Sequence, residues 1–562
     1  MRRLPLVLLS FALTAGGLTA LAPQAASAAV PNATPCTSPN PGEVTVVWFD
    51  VEQGDSQLVI GPTGRTLLVD LGETAWNATT GTKAESVAAR IRSACGVTSG
   101  PVHLDYVLAS HHHLDHIGYA GNPNDTTAYG NGLWRLLHQD HLGFTVGTVL
   151  DRDGGTWTDA DGDNRCDVGT SSAPAPEVAW NNAGTVSQTS RRWICWLYGP
   201  AGQRDRAAIE GKVVTLRNTV AFPSLDLGAG VTTRIVQANA KGVLQADGVT
   251  PVSGDHTSDP VPPSENDYSV AVKVQYGGWS YATAGDTDGE YSTSSFGYSY
   301  NDVERGLVSA FGDVSTARAN HHGSSHSSSA AYVGGLDPET AFVSCGTNSY
   351  GHPANRVLDA FQAAGADVYL ANNPCDTTDG SGAAIDYTGT FNSNGDVRLR
   401  TTGAGAGYVV THDTGSRSYS TGSTASPGTP SSVRVNEYLM APSTGNEWVE
   451  LYNPTSTSLA IGGLWIDDVA GGGGAPKQIP AGTTIAPGGR WVMEFASGFL
   501  NNTGSESVRL LATDKTTEYD VHTYSLGSTQ SDKVFRRSGD GGAWCTAIST
   551  GPTKGTPNPT AC

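Results

Sequence analysis

Ser110-His111-His112-His113-Leu114-Asp115-His116 is the stretch on which the reading of this chain turns. It directly follows the apolar-rich run Leu-Asp-Tyr-Val-Leu-Ala-Ser (104–110), so its imidazoles leave a strand end and enter a loop. His111 and His113 alternate on one side of an extended backbone, as joint ligands of one ion need, while the turn at Asp115-His116 can present a second pair to a neighbouring ion. Nitrogen ligands with one carboxylate suit zinc. The competing reading is an exposed His-rich stretch with at most a pH-sensing role.

Three distant segments weigh against that competitor. Ser280-Tyr281-Ala282-Thr283-Ala284-Gly285-Asp286 reads as a strand ending in Gly-Asp, and a carboxylate there can bridge two cations about 3.5–4 Å apart. Ala319-Asn320-His321-His322-Gly323-Ser324 closes the strand VSTARA, and Tyr350-Gly351-His352-Pro353 follows AFVSC after a short loop. Every candidate thus follows an apolar strand, as expected where ligands from several strand ends meet at one sheet edge.

Outward from these segments, β-rich and helical runs alternate between Val44 and about His412: VTVVWFD (44–50), RTLLVD (65–70), AESVAARIRSAC (84–95). The strand runs are nearly continuous in apolar residues, which predicts an α/β layered sheet covered on both faces. Gly415 to Ser432 has no apolar periodicity and reads as a Gly/Ser/Thr/Pro linker. Beyond it VRVNEYLM, EWVELYN, LWIDD, RWVMEF and SVRLLAT alternate between turn residues, which predicts an all-β sandwich over 433–562.

The chain has 562 residues, too many for one compact core, and its 15% charged residues with 70 Gly exclude a coiled coil. Met1-Arg2-Arg3, the apolar run to Leu21 and Ala26-Ser27-Ala28 read as a signal peptide over 1–28; the alternative, a membrane anchor, is diluted by Thr14, Gly16, Gly17 and Thr19. No later stretch is long and apolar enough to span a membrane. Without Arg2 and Arg3, 31 of the 33 basic residues remain against 53 acidic ones, a net charge of −22, so sequence-independent coating of nucleic acid is not expected. In an exported chain eight Cys predict disulfides, and proximity favours Cys36–Cys95, Cys166–Cys195, Cys345–Cys375 and Cys545–Cys562 among 105 pairings. No CxxC is present, so cysteine-based metal binding is not expected.

The residues FDVEQGDSQLVIGPTGRTLLVDLG (49–72), SHHHLDHIG (110–118), ATAGD (282–286), HHGSSHSS (321–328) and SYGHP (349–353) resemble those of metallo-β-lactamase-fold hydrolases. Within that superfamily they look most like the extracellular hydrolase domain of competence (DNA-uptake) channel proteins. The resemblance implies an αββα sandwich over 29–414, with His111 and His113 at a first metal, Asp115 and His116 at a second, and Asp286 between them. It implies a structural role for Asp70, and it favours His321 as the ligand of the His321-His322 pair, leaving His322 to hydrogen-bond to site or substrate.

The chain departs from the superfamily in one respect: no convincing equivalent exists of the further His often supplied to the first metal. His138 and His141 adjoin a probable helix, His256 lies in a Pro/Ser/Asp-rich loop, and the strand TTRIVQANA (232–240) offers Asn239. A weak or absent first metal is therefore expected.

The function implied is a secreted zinc- or manganese-dependent phosphodiesterase acting on extracellular DNA or RNA. Water is activated by the metals and oriented by Asp115, and His352 stabilises the developing oxyanion. Arg191-Arg192-Trp193 offers a place to hold phosphate and stack a base, or is an ordinary turn. Lactone or β-lactam hydrolysis, and a catalytically inactive surface-binding protein, are the alternatives.

Two further features stand apart. Asp159, Asp161, Asp163 and Asp167 around Gly162 resemble a calcium-binding loop without a closing Glu, or else form a solvated acidic loop. VRVNEYLMAP (433–442), NEWVELYNPTSTSLAIGGLWIDD (446–468) and IPAGTTIAPGGRWVMEF (479–495) resemble the bacterial lamin-tail domain, an immunoglobulin-like sandwich. By analogy that implies contact with a cell surface or extracellular polymer. Trp448, Trp465 and Trp491 are expected in its core.

Overall fold

The computed structural model describes residues 33–562 except 73–82, 122–129, 139–141, 170–176, 181–186, 201–207, 217–221, 241–263, 294–298, 372–374, 404, 422–429, 456–458, 481–482, 486–487, 497 and 514. The leader 1–28, His141 and His256 lie outside the described residues. None of the described helices is long and apolar enough to cross a membrane.

Strands dominate, and the region before residue 421 is built on two large mixed sheets. In the first, Thr45–Trp48, Gln57–Ile60 and Thr66–Val69 pair antiparallel; Val102–Ala109, Thr145–Arg152 and Val213–Leu216 then continue in parallel. The second repeats the pattern: Val231–Gln237, Ala271–Tyr276 and Trp279–Thr283 pair antiparallel, and Thr316–Arg318, Thr340–Val343 and Asp367–Leu370 follow in parallel.

Alternate residues of each strand enter different apolar clusters, because successive side chains leave opposite faces of the pleat. Trp48, Val59, Leu67 and Val69 of the first sheet share one cluster with Trp279, Tyr281, Phe342 and Tyr369 of the second. The other face of the first sheet packs with Lys83–Ala94, Gly132–Leu137 and Gln188–Tyr198. Ala282, Ala341, Val343 and Val368 of the second pack with Glu304–Phe311, Ala330–Leu336 and Asn355–Ala363. Between the sheets Trp48 lies against Phe342 and donates from Nε1 to the Tyr281 hydroxyl at 3.1 Å, and each such buried side chain is worth about 1.5–3 kcal/mol.

The expected linker is corrected at its start. Gly415–Ser420 forms the outermost strand of the first sheet, antiparallel to Gly407–His412. It is an edge strand whose side chains are mostly exposed, so it carries no apolar alternation. Its anchor is Tyr419, whose hydroxyl donates to Asp367 Oδ2 at 2.6 Å.

The C-terminal region is all-β. A sheet of Arg490–Phe495, Glu447–Tyr452, Arg434–Leu439, Lys533–Arg536 and Ser549–Thr550 shares one core with a sheet of Lys477–Gln478, Trp465–Asp467, Gly504–Leu511 and Glu518–Leu526. Trp491 is partly buried against that core, whereas Trp448, though buried, lies outside it in a small cluster with Leu439 and Val534. Trp465 departs from expectation: it is half-buried, with the Lys515 ammonium 3.7 Å from its ring centre. All four disulfides favoured by proximity are present. They close loops of 17 to 59 residues, worth about 3–4 kcal/mol each in the chain-entropy account.

Candidate metal centre

In each sheet the pairing changes from antiparallel to parallel at one place, and the candidate ligands stand at the carboxyl ends of the strands there. Asp70 follows Thr66–Val69 and the His cluster follows Val102–Ala109 in the first sheet; Asp286 follows Trp279–Thr283 and His321-His322 follow Thr316–Arg318 in the second. Such switch points are where open α/β sheets leave a crevice for ligands.

Local backbone chemistry fixes the first cluster. Asp70 adopts the left-handed region (φ 58°), which a short polar side chain tolerates. Its carboxylate accepts from Ser110 N at 2.7 Å, Ser110 Oγ at 2.6 Å and His116 Nδ1 at 2.9 Å. Asp55 N donates to Asp115 O and Leu71 N to His116 O. A Cβ at Gly72 would stand 1.6 Å from Asp115 O, so only glycine permits this clamp. In the second sheet Gly285 (φ 55°) lets the chain pass Ser269, whose Oγ accepts from Asp286 N at 3.0 Å. His321 and His322 are both left-handed (φ 49° and 53°), a strain of about 1–3 kcal/mol each that persists only where surroundings over-determine it. Those surroundings include Glu304, which accepts from Asn320 Nδ2 at 2.7 Å and Ser329 N at 2.9 Å.

Four imidazoles converge on Asp286 Oδ2, with Nε2 at 3.0 Å for His116, 3.5 Å for His322, and 3.9 Å for both His111 and His321. In each ring the opposite nitrogen is held elsewhere. His116 Nδ1 faces Asp70, His322 Nδ1 faces Ser344 O at 3.0 Å, His321 Nδ1 faces Asp288 Oδ1 at 3.1 Å, and His111 Nδ1 faces Ser110 Oγ at 3.2 Å. His113 Nδ1 lies 3.0 Å from His111 Nε2, and Asp115 Oδ2 lies 3.5 Å from His322 Nε2. Ligand atoms of His111, His116 and Asp286, and of Asp115, His116 and His322, lie within 4.8 Å of one another.

This donor set fits divalent cations. With Nδ1 of His116 and His322 donating to Asp70 and Ser344, the neutral rings carry lone pairs on two Nε2 atoms 3.2 Å apart beside a carboxylate, an arrangement that demands positive charge between them. Titration expresses the same demand. Burial pulls His116 down, but Asp286 and Asp70 outweigh it and hold the ring well above its ordinary value; for His322, Asp286 and Asp115 overcome burial to give about 9. Burial pushes His111 well down, and brings His321 to about 4. Asp286 is held well below the usual carboxylate range, burial being outweighed by His116, His322 and His321.

The expectation for the His pair changes in one respect: His322, not His321, joins Asp115 and His116, because the left-handed turn carries the second ring inward. His352 is buried at 9% exposure, with its ring centre 5.3 Å from that of His321. Burial keeps it well below its ordinary pKa, so the ring is neutral. His112 points away, its Nε2 2.9 Å from Asp151 Oδ1. His138 packs on Trp134, and Asn239 donates from Nδ2 to Leu216 O, so neither is in the cluster.

The phosphate-and-stacking role for Arg191-Arg192-Trp193 is contradicted. These residues lie on the helix Gln188–Tyr198, where Trp193 is fully buried on Asp151, Arg191 is buried with Nε on Val168 O, and Arg192 covers Tyr119. In the acidic loop, carboxylate oxygens of Asp159 and Asp161 come together with that of buried Glu177, while Asp163 and Asp167 stay outside that group. Asp159, Asp161 and Glu177 all accept from the loop's own backbone N–H groups.

Sequence reasoning missed Arg318, Asp55, Ser344 and Asp288. Arg318 is fully buried, 2.9 Å from Asp55 Oδ2 and 3.5 Å from Asp286 Oδ1, and donates to Gly285 O. Its signal was present: an arginine inside the apolar strand run VSTARA must face buried carboxylates.

Residues 426–526 match the family model of the lamin tail domain. The match begins at residue 426, inside the expected linker, and covers most of the all-β C-terminal region, whose two sheets around one core agree with an immunoglobulin-like lamin tail domain. No curated protein matches the chain.

Proposed function

We propose that the region before the lamin tail domain is a metallo-β-lactamase-fold αββα hydrolase that cleaves phosphodiesters such as those of extracellular DNA or RNA. The observation that carries the reading is the convergence of four imidazole Nε2 atoms on Asp286 Oδ2 at the strand ends of both sheets. His111, His113, Asp115, His116, Asp286 and His322 are the residues to hold zinc or manganese; they include no thiolate and suit borderline divalent ions. Bound there, such ions would acidify water toward a pKa of about 7 and neutralise phosphoryl oxygens.

The chain's own groups do the rest. Asp115, whose side chain is 28% exposed at the site, accepts a hydrogen bond from the attacking water and orients it. Asp70 and Ser344 hold the imidazole tautomers, and Arg318 keeps one oxygen of Asp286 turned away from the cluster. His352, neutral at ordinary pH, donates a hydrogen bond to the oxygen on which charge gathers. Four disulfides support secretion into an oxidising environment, and the lamin tail domain supports contact with a surface or extracellular polymer.

The test is a substrate panel on metal-reloaded full-length protein: single-stranded DNA, duplex DNA, RNA, bis-p-nitrophenyl phosphate, a cephalosporin and a lactone. Turnover of the phosphodiesters, abolished by a chelator, is expected. Turnover confined to the lactone or cephalosporin would replace the substrate class, and no turnover of any would leave the surface-binding alternative.

A further inference from the structure

We infer that the adjacent pair His321-His322 is divided between two cation positions: His322 with Asp115 and His116, and His321 with His111 and His113, Asp286 lying between. This rests on the metal-hydrolase reading and supplies the ligand that the sequence lacks for the first position.

The backbone makes the division. Two consecutive left-handed residues turn the rings apart, to 6.3 Å between centres and 67° between planes, yet each Nε2 still faces Asp286 Oδ2. An extended backbone would point neighbouring side chains to opposite faces and a helical one would splay them around its axis, so neither brings two adjacent imidazoles to one carboxylate oxygen. Each ring also has its own support: Ser344 O for His322 Nδ1 and Asp288 Oδ1 for His321 Nδ1. A carboxylate behind an imidazole is the arrangement that orients metal-binding histidines, and a ring serving only as a surface donor would not need a fully buried one. Asn266 Nδ2 stands 3.3 Å from both ring nitrogens of His321, limiting how the ring turns. The neighbourhoods differ: the His322 ring centre is 5.1 Å from that of His116, and its Nε2 is 3.5 Å from Asp115, whereas His321 Nε2 stands at the same 3.9 Å from Asp286 Oδ2 as His111 Nε2, which lies 3.0 Å from His113 Nδ1.

The experiment counts metal, not turnover. Full-length protein is stripped, reloaded with Co²⁺, desalted and assayed for bound cobalt and its visible absorption. Wild type should retain about two equivalents. His321→Ala and His322→Ala should each retain about one, with different cobalt spectra, and the double variant almost none. His321→Gln, which keeps the side-chain bulk, should match His321→Ala, and thermal melting of each variant checks that it folds. Two equivalents in both His321 variants, identical spectra for the two single variants, loss of both ions on changing His321 alone, or only one equivalent in wild type would overturn the division while leaving a metal hydrolase. Absence of any metal from wild type would overturn both readings.

Discussion

The two regions of this chain bury carboxylates in different surroundings. In the lamin tail domain Glu447 is 1% exposed and its oxygens accept from Gly498 N, Phe499 N and Leu500 N at 2.7–3.0 Å. Glu437 and Glu450 likewise accept from Thr553 N and Gly555 N. In the N-terminal region Asp286 is as deeply buried, but one oxygen accepts no hydrogen bond among the described residues and the other faces four imidazole nitrogens. A buried carboxylate saturated by backbone N–H groups is a structural staple. One that faces four imidazole nitrogens is what the proposed metal site requires, since a cation placed there would satisfy carboxylate and rings together.

Reciprocal changes should break that comparison cleanly. Asp286→Ala should release the metal and lower phosphodiester turnover by roughly 10³-fold or more, while the melting of the lamin tail domain stays unchanged. Glu447→Ala should leave three backbone donors unpaired and destabilise that domain by roughly 3–5 kcal/mol, with metal content unaltered. Metal analysis and calorimetry on both variants measure this; metal loss in Glu447→Ala would erase the distinction.

Arg318 sharpens it next. Its fork spans Asp55 and Asp286, so Arg318→Lys keeps the charge but loses the geometry, and metal affinity should fall by about 10–100-fold, read from competition with a chromophoric chelator. Affinity equal to wild type would make Arg318 a filler of buried charge and no more.

The smallest effect is one of pH. In stripped protein His322 is raised to about 9 against an ordinary 6.5, so its protonated ring stabilises the fold fully below about pH 6.5, and that contribution is lost as pH rises through about 9. Melting of the stripped chain should therefore decline across this window, whereas the metal-loaded chain, with a cation replacing the proton, should not follow it.

Much of this was legible in sequence because strand ends advertise themselves. An apolar run followed by His-x-His-x-Asp-His, or by Gly-Asp, places its polar residues at a sheet edge wherever the partner strands lie. What stayed hidden depends on contact across the fold. Ser344 acts through a carbonyl, which leaves no trace in residue type. Asp288 looks like one more acid in the Asp-Thr-Asp run, and Glu177 stands ten residues beyond the acidic loop whose carboxylates it joins. The pair His321-His322 was ambiguous because ligand choice is set by two left-handed residues that no composition reveals. Arg191-Arg192-Trp193 misled because a basic-aromatic cluster looks alike whether its helix face is exposed or packed, and here it is packed.

The most direct test of the central claim is calorimetric titration of Zn²⁺ into metal-stripped full-length protein, beside Asp286→Asn. The account predicts saturable uptake of about two equivalents with release of protons in wild type, and uptake abolished or reduced to weak, unsaturated binding in the variant. Wild type that takes up no zinc, or a variant that binds as wild type does, would contradict it.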